Sequence, residues 1–180
     1  MTTEVFITAV GRDRPGVIAG LTGALAGLDA NLEDTSMTTL GGRFAMVLVV
    51  AVPEGTSTDV VAAALAEPAA ALHVDVSVHP ADPSDAADDE RGERWTVSIH
   101  GADHPGIVHG VTQGLSELGA NVVDMRTRVV GPPDRQVYAM TLEVSVPATT
   151  SAETLTARLD EVAAALGVEC SLHPVDTDIL

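Results

Sequence analysis

Apolar residues at Val17, Ile18, Leu21, Leu25 and Leu28 recur at helical spacing and predict a helix with one buried face. A short β-rich run from Glu4 to Val10 precedes it and predicts a strand. Between them, Asp13-Arg14-Pro15-Gly16 reads as the helix start, with Asp as N-cap and Pro in the first turn, and Asp29-Ala30 reads as its end. Leu32 to Leu40 is only half apolar and predicts a strand carrying Thr, Ser and Asp. Gly41-Gly42 is a two-residue hairpin signal, and the almost wholly apolar run Phe44 to Val52 predicts a central strand covered on at least one face. Ser57 to Leu72 is an Ala-rich helix that Pro68 is expected to kink or shorten, and the alternation from Val74 to His79 predicts a last strand.

The pattern then starts again. At a shift of 90 residues Gly11-Arg12-Asp13-Arg14-Pro15-Gly16 falls on Gly101-Ala102-Asp103-His104-Pro105-Gly106, and 11 of the 24 positions from 11 to 34 are identical. At a shift of 94, Ala45-Met46, Leu48, Val50 and Val52-Pro53 meet Ala139-Met140, Leu142, Val144 and Val146-Pro147; Ser77, His79 and Pro80 meet Ser171, His173 and Pro174. Collinear matches over nearly the whole chain mean two homologous halves. The four extra residues of the second half fall at Gly131-Pro132-Pro133-Asp134, a longer hairpin loop. The expected boundaries are 1–80 for the first domain, 81–93 for an acidic linker and 94–180 for the second domain.

Each half therefore has the order βαββαβ. The economical solution for about 75–80 residues is the α+β split-βαβ, or ferredoxin-like, sandwich: a four-stranded antiparallel sheet with both helices on one face. Its central strands are the first and third, here the most apolar, and its second strand lies on an edge, here the most polar. Pairing of the two halves edge to edge through their second strands would hide both edges.

Composition narrows the function. Nine Arg and no Lys stand against 26 Asp and Glu, for a formal net charge of −17. Such a surface repels phosphate backbones and anionic membranes, so direct nucleic-acid binding and membrane association are not expected. Aromatic residues at 2% leave no base-stacking platform. The single Cys170 excludes an internal disulfide framework or a Cys-cluster metal site. With no run near 18 apolar residues and no signal-like N-terminus, the expected location is the cytoplasm.

The motif present twice is Gly-x-Asp-x-Pro-Gly, followed by an Asn 18 residues after the Asp. It nominates Gly11, Asp13, Pro15, Gly16 and Asn31 in the first half, and Gly101, Asp103, Pro105, Gly106 and Asn121 in the second. Backbone N–H groups at a helix start favour a carboxylate, glycine lets the backbone come close, Asp can face an ammonium, and Asn both donates and accepts. Together these suit a zwitterionic amino acid. The plainer alternative is that Asp13 and Asp103 cap helices and the Asn residues only make turns.

These residues, with Asn-(Leu/Val)-x-Asp on the second strand, resemble the ACT domain, over residues 4–80 and 94–175. The arrangement is similar to tandem-ACT proteins of the glycine cleavage system transcriptional repressor family. The resemblance implies side-by-side association and amino-acid binding between paired domains, with Asp13 or Asp103 and Asn31 or Asn121 as contacts. Two positions depart from the serine-binding pattern: Gly11 and Gly101 stand where those members carry His, and Asp13 and Asp103 stand where Asn is common. The resemblance also implies regulation through a protein partner, with any effect on transcription indirect.

His100, His104 and His109 cluster around the second loop, but a metal site would need them to converge, and neither a metal nor a cofactor is expected. Arg126 and Arg128 share a strand face with Asp124 and could pair with Asp34 or a bound carboxylate, or only guard an edge. No catalytic constellation recurs, so no enzyme is expected. The expected function is a non-enzymatic sensor of a small glycine- or serine-like amino acid acting through a regulatory protein partner. The alternative is a ligand-independent interaction module with a vestigial site, and a homodimer is compatible with either.

Overall fold

A computed structural model describes residues 2–81, 92–132 and 135–175. Most of the expected linker, and Pro133 and Asp134 of the expected insertion, lie outside these residues. The chain divides into two compact units, with the division between residues 85 and 86. The first unit runs β1 (Thr2–Arg12), α1 (Val17–Ala26), β2 (Asn31–Leu40), β3 (Arg43–Pro53), α2 (Thr58–Leu72) and β4 (Val74–Pro80). The second runs β5 (Glu93–Ala102), α3 (Ile107–Glu117), β6 (Asn121–Val130), β7 (Val137–Val146), α4 (Ala152–Leu166) and β8 (Val168–Pro174). Each unit holds one antiparallel four-stranded sheet, in the orders β2-β3-β1-β4 and β6-β7-β5-β8. The most apolar strands are central and β2 and β6 are edges, as the sequence pattern requires.

Alternation along the strands builds the core. Val5, Ile7 and Ala9 on β1 and Phe44, Met46, Leu48, Val50 and Val52 on β3 are all buried. They meet Val17, Leu21 and Leu25 of α1 and Val61 and Leu65 of α2 in one cluster. The second unit repeats this with Val97, Ile99, Met140, Leu142 and Val144 against Val111, Leu115, Leu155 and Leu159. Full burial of one such side chain is worth roughly 1.5–3 kcal/mol, so these inward rows fix the register. The helix-free faces differ. Phe6, Val10, Val47, Val49 and Ala51 alternate with the buried set in the first unit, whereas Thr96, Ser98, Thr141, Glu143 and Ser145 occupy that face in the second. Arg94 pairs there with Glu143 at 3.2 Å. Inward positions are held by packing, while outward positions were free to diverge.

Two local expectations need revision. Pro68, expected to kink or shorten α2, does not shorten it: the helix continues to Leu72. Val61, Leu65 and Ala69 are buried on its inner face, and that packing outweighs the lost backbone hydrogen bond. Asp13 is not the N-cap of α1, and Pro15 is not in its first turn. A proline at position 15 disfavours the helical region at Arg14, and Gly16 takes φ +94, so the helix begins only at Val17. The second unit does the same with Gly106 at φ +100. The hairpin signal at Gly41-Gly42 is met with φ values of 58 and 74, as a type I′ turn demands.

Gly11 and Gly101 pair with Val74 and Val168, the first residues of β4 and β8. A Cβ on Gly11 would lie 2.9 Å from the His73 carbonyl oxygen, and one on Gly101 would lie 2.7 Å from Val168 Cγ1. A residue with a side chain cannot stand there without moving a strand end, which accounts for glycine where the serine-binding pattern has His.

Two stability measurements check this account. Pro68→Ala restores a backbone donor inside α2 and is expected to stabilise the first unit by about 1–3 kcal/mol, read as a higher midpoint in urea. Gly101→Ala is expected to destabilise the second unit by about 1–3 kcal/mol, the usual cost of overpacking, with Gly11→Ala acting in the same direction on the first.

Candidate functional site

Both motif loops leave the end of a central strand and turn through a left-handed glycine into a helix. Neither α1 nor α3 has a side-chain hydrogen bond at its N-cap, whereas α2 and α4 are capped by Ser57 and Ser151. The capping role weighed for Asp13 and Asp103 is therefore not realised. Both carboxylates stand exposed on their loops, beside first-turn amides that no side chain caps. A Cβ at Gly16 or Gly106 would meet nothing within 4 Å, so the space before each helix is open and glycine is required there for its φ alone.

A shallow hollow lies at each loop. That of the first unit, about 430 Å³, is bounded by Asp13, Arg14, Pro15, Gly16, Val17, Ile18, Met37 and Phe44 among others. Its counterpart, about 470 Å³, is bounded by His104, Pro105, Gly106, Ile107, Val108, His109 and Tyr138. Phe44 and Tyr138 occupy equivalent positions and form an aromatic floor under each. Burial, with Asp103 nearby, pushes the Tyr138 phenol up from its ordinary value, so it stays neutral beside the loop.

The Asn residues are elsewhere. Asn31 pairs with Ala51 on β3, while Arg12, next to Asp13, pairs with Arg43. From position 43 to 51 is eight steps along one strand, or roughly 26 Å at about 3.3 Å per residue. Asn121 is likewise opposite Ser145, far along β7 from Val137, which pairs with Ala102. Within one unit, then, loop and Asn stand at opposite ends of the sheet and cannot touch the same small molecule. The register accounts for the separation: α1 carries the chain the length of the sheet before β2 begins. Asn31 donates from Nδ2 to Glu33 at 2.9 Å. Register shifts follow at Leu32/Asp34 and at Val122/Asp124, so each edge strand carries a bulge beside its Asn. Sequence alone gave no sign of these bulges.

The histidines do not converge, and among the described residues no three His, Cys, Asp or Glu side chains are grouped to hold a metal ion. His104 contacts two carbonyl oxygens, Pro105 O from Nδ1 at 3.0 Å and Leu166 O from Nε2 at 2.8 Å. Those two contacts, Pro105 first, hold its pKa above the ordinary imidazole value; Asp103 adds to this and desolvation opposes it. Arg126 pairs with Asp124 of its own strand, Nε to Oδ2 at 3.2 Å. Cys170 is half-buried against the second core, and burial first, then Asp160, pushes its thiol up. That is the opposite of what a nucleophile needs.

Comparison with known proteins agrees with this architecture. A family model described as the ACT domain matches residues 3–79 and again residues 93–173. A UPF0237 protein of Methanopyrus kandleri is 46% identical over 52 residues, which is 29% of this chain and 58% of that protein. A UPF0237 protein of Lactococcus lactis is 46% identical over 44 residues, 24% of this chain and 51% of that protein. The chain thus spans only a little over half the length of these curated relatives. Among solved structures, an unknown protein from Galdieria sulphuraria superposes with a TM-score of 0.82 at 25% identity, covering 97% of this chain and 99% of that one. A candidate glycine cleavage system transcriptional repressor superposes with a TM-score of 0.75 at 19% identity, covering 97% and 98%, a likeness of fold. With the family match falling on both βαββαβ units and the same loop opening each first helix, the chain belongs to the ACT-domain family.

Proposed function

We propose that this chain is a non-enzymatic regulatory protein that binds a small amino acid, of glycine or serine size, between paired ACT units and passes the signal to a protein partner. The observation that carries the reading is the pair of helix starts without a side-chain cap, each preceded by a left-handed glycine and an exposed Asp. First-turn amides receive the ligand carboxylate, and Asp13 or Asp103 faces its ammonium. Because loop and Asn are separated within a unit, Asn31 or Asn121 comes to the ligand from a second ACT unit. The edge strands β2 and β6, which begin with those Asn residues, are the surfaces that such pairing would use. Binding would then change how units pair, a coupling typically worth about 1–3 kcal/mol. With a net charge of −17, an effect on transcription would run through the partner rather than through DNA.

One observation favours a second reading, a ligand-independent interaction module. The edge strands expose Leu40, Met37, Met125, Val129 and Val130, apolar side chains that pairing would cover whether or not a ligand is present.

Unfolding in urea with each of the twenty amino acids separates the two readings. A ligand at 100 times its Kd is expected to add about 2.7 kcal/mol, and Asp13→Ala with Asp103→Ala is expected to remove that gain while leaving the unliganded midpoint almost unchanged. If no amino acid shifts the midpoint, and sedimentation shows association regardless of additive, the interaction module stands and the sensor does not.

A further inference from the structure

The two ligand loops are not chemically equivalent, because His104 stands in the second where Arg14 stands in the first. Leu166 is the last residue of α4, and its carbonyl is one of those a helix end leaves without an intrahelical donor. In the first unit a different histidine serves the end of α2. His73 follows the helix in the left-handed conformation and contacts the Ala70 carbonyl from Nδ1 at 2.9 Å. That contact stays within the helix end and does not involve the loop. In the second unit Gly167 replaces His73 at the cap, and the contact to the helix end arrives from the loop instead.

A neutral imidazole has one N–H and one lone pair. With a carbonyl oxygen against each ring nitrogen, only the imidazolium donates to both; either neutral tautomer loses one bond and sets a lone pair against an oxygen. From this geometry we infer that His104 is a proton-operated latch, fastening the second ligand loop to the C-terminal end of α4 when charged and releasing it when neutral. The titratable and charged groups on the surrounding elements are Asp103 on its own loop, His109 in the first turn of α3, Tyr138 on β7, and His100, Arg135 and Glu169 around the neighbouring end of the sheet. The last turn of α4, Ala163 to Leu166, carries no charge. Asp103 favours the charged ring, and so does the negative end of the α4 dipole.

The sign follows from the raised pKa. The fastening is complete below the ordinary imidazole pKa of about 6.5 and is lost as pH rises through the higher value of the folded protein. Fastened, the loop holds Asp103 and the Gly106 turn in one geometry and lowers the ordering cost of binding. What the latch regulates rests on the amino-acid reading above; the latch itself does not.

The test is a pH titration of the full chain by NMR from pH 5.5 to 8.5, a range in which glycine and serine stay zwitterionic. The His104 ring is expected to titrate above a free imidazole, and the amides of Asp103, Gly106 and Ile107 to shift with the same midpoint. The amides of Asp13, Gly16 and Val17 are expected to show no such step, and His104→Gln to abolish it in the second loop. A ring that titrates at or below the free value, loop amides that do not follow it, or a step that survives His104→Gln overturns the latch. Glycine and L-serine, added as probes, are expected to bind at the second loop several-fold more weakly at pH 8.5 than at pH 5.5. Binding there that ignores pH overturns the regulatory role. If neither probe binds at any pH while the loop step persists, the amino-acid reading fails and the latch holds.

Discussion

Everything in each unit depends on burying one face of a four-stranded sheet under two helices. A unit of about 80 residues has little apolar area to spare, so the inward rows of β1 and β3, and of β5 and β7, cannot slip. A one-residue shift would turn Val5, Ile7 and Ala9 outward and bring Phe6, Thr8 and Val10 in. Register then sets the positions of everything else. It places the Pro-Gly turn at one end of the sheet and the Asn at the other. A single small molecule cannot reach both kinds of residue within one unit.

Duplication kept what that constraint governs and released what it does not. The inward residues of the two units correspond almost position for position, and both use a left-handed glycine ahead of the first helix and a Ser cap ahead of the second. The helix-free faces have parted, apolar in the first unit and polar with an Arg94–Glu143 pair in the second. The second unit also ties its two helices together through Arg158 and Glu117 at 2.7 Å, and the hydrogen bonds from Gln113 and then Arg158 hold the Glu117 carboxyl below its ordinary value. The ends of the second helices show the same freedom: one is served by its own cap residue, the other by a histidine reaching over from the loop.

Element order, the internal repeat, the central and edge strands and the motif loops were all legible from the sequence. Each rests on short-range periodicity or on a residue with few conformational options, such as Gly41-Gly42 or Gly167. The helix starts were misplaced because capping preference was weighed for Asp13 without the restriction that Pro15 puts on Arg14 and the turn that Gly16 then takes. The full length of α2 beyond Pro68 was not legible, because a local penalty says nothing of the packing of Val61, Leu65 and Ala69. His104 was weighed only as one of three metal candidates, since nothing in the sequence brings Leu166 to it across 62 residues.

The sequence by itself determined that there are two alike βαββαβ units, which strands are central, and which loops offer backbone amides; hydrophobic alternation and glycine geometry carry that information locally. Only the tertiary structure decided that loop and Asn are a sheet-length apart, that the edge strands bulge beside Asn31 and Asn121, and that His104 joins the loop to the end of α4. Those facts depend on strand register and on contacts between residues far apart in the chain, which are fixed only when the whole apolar face is packed.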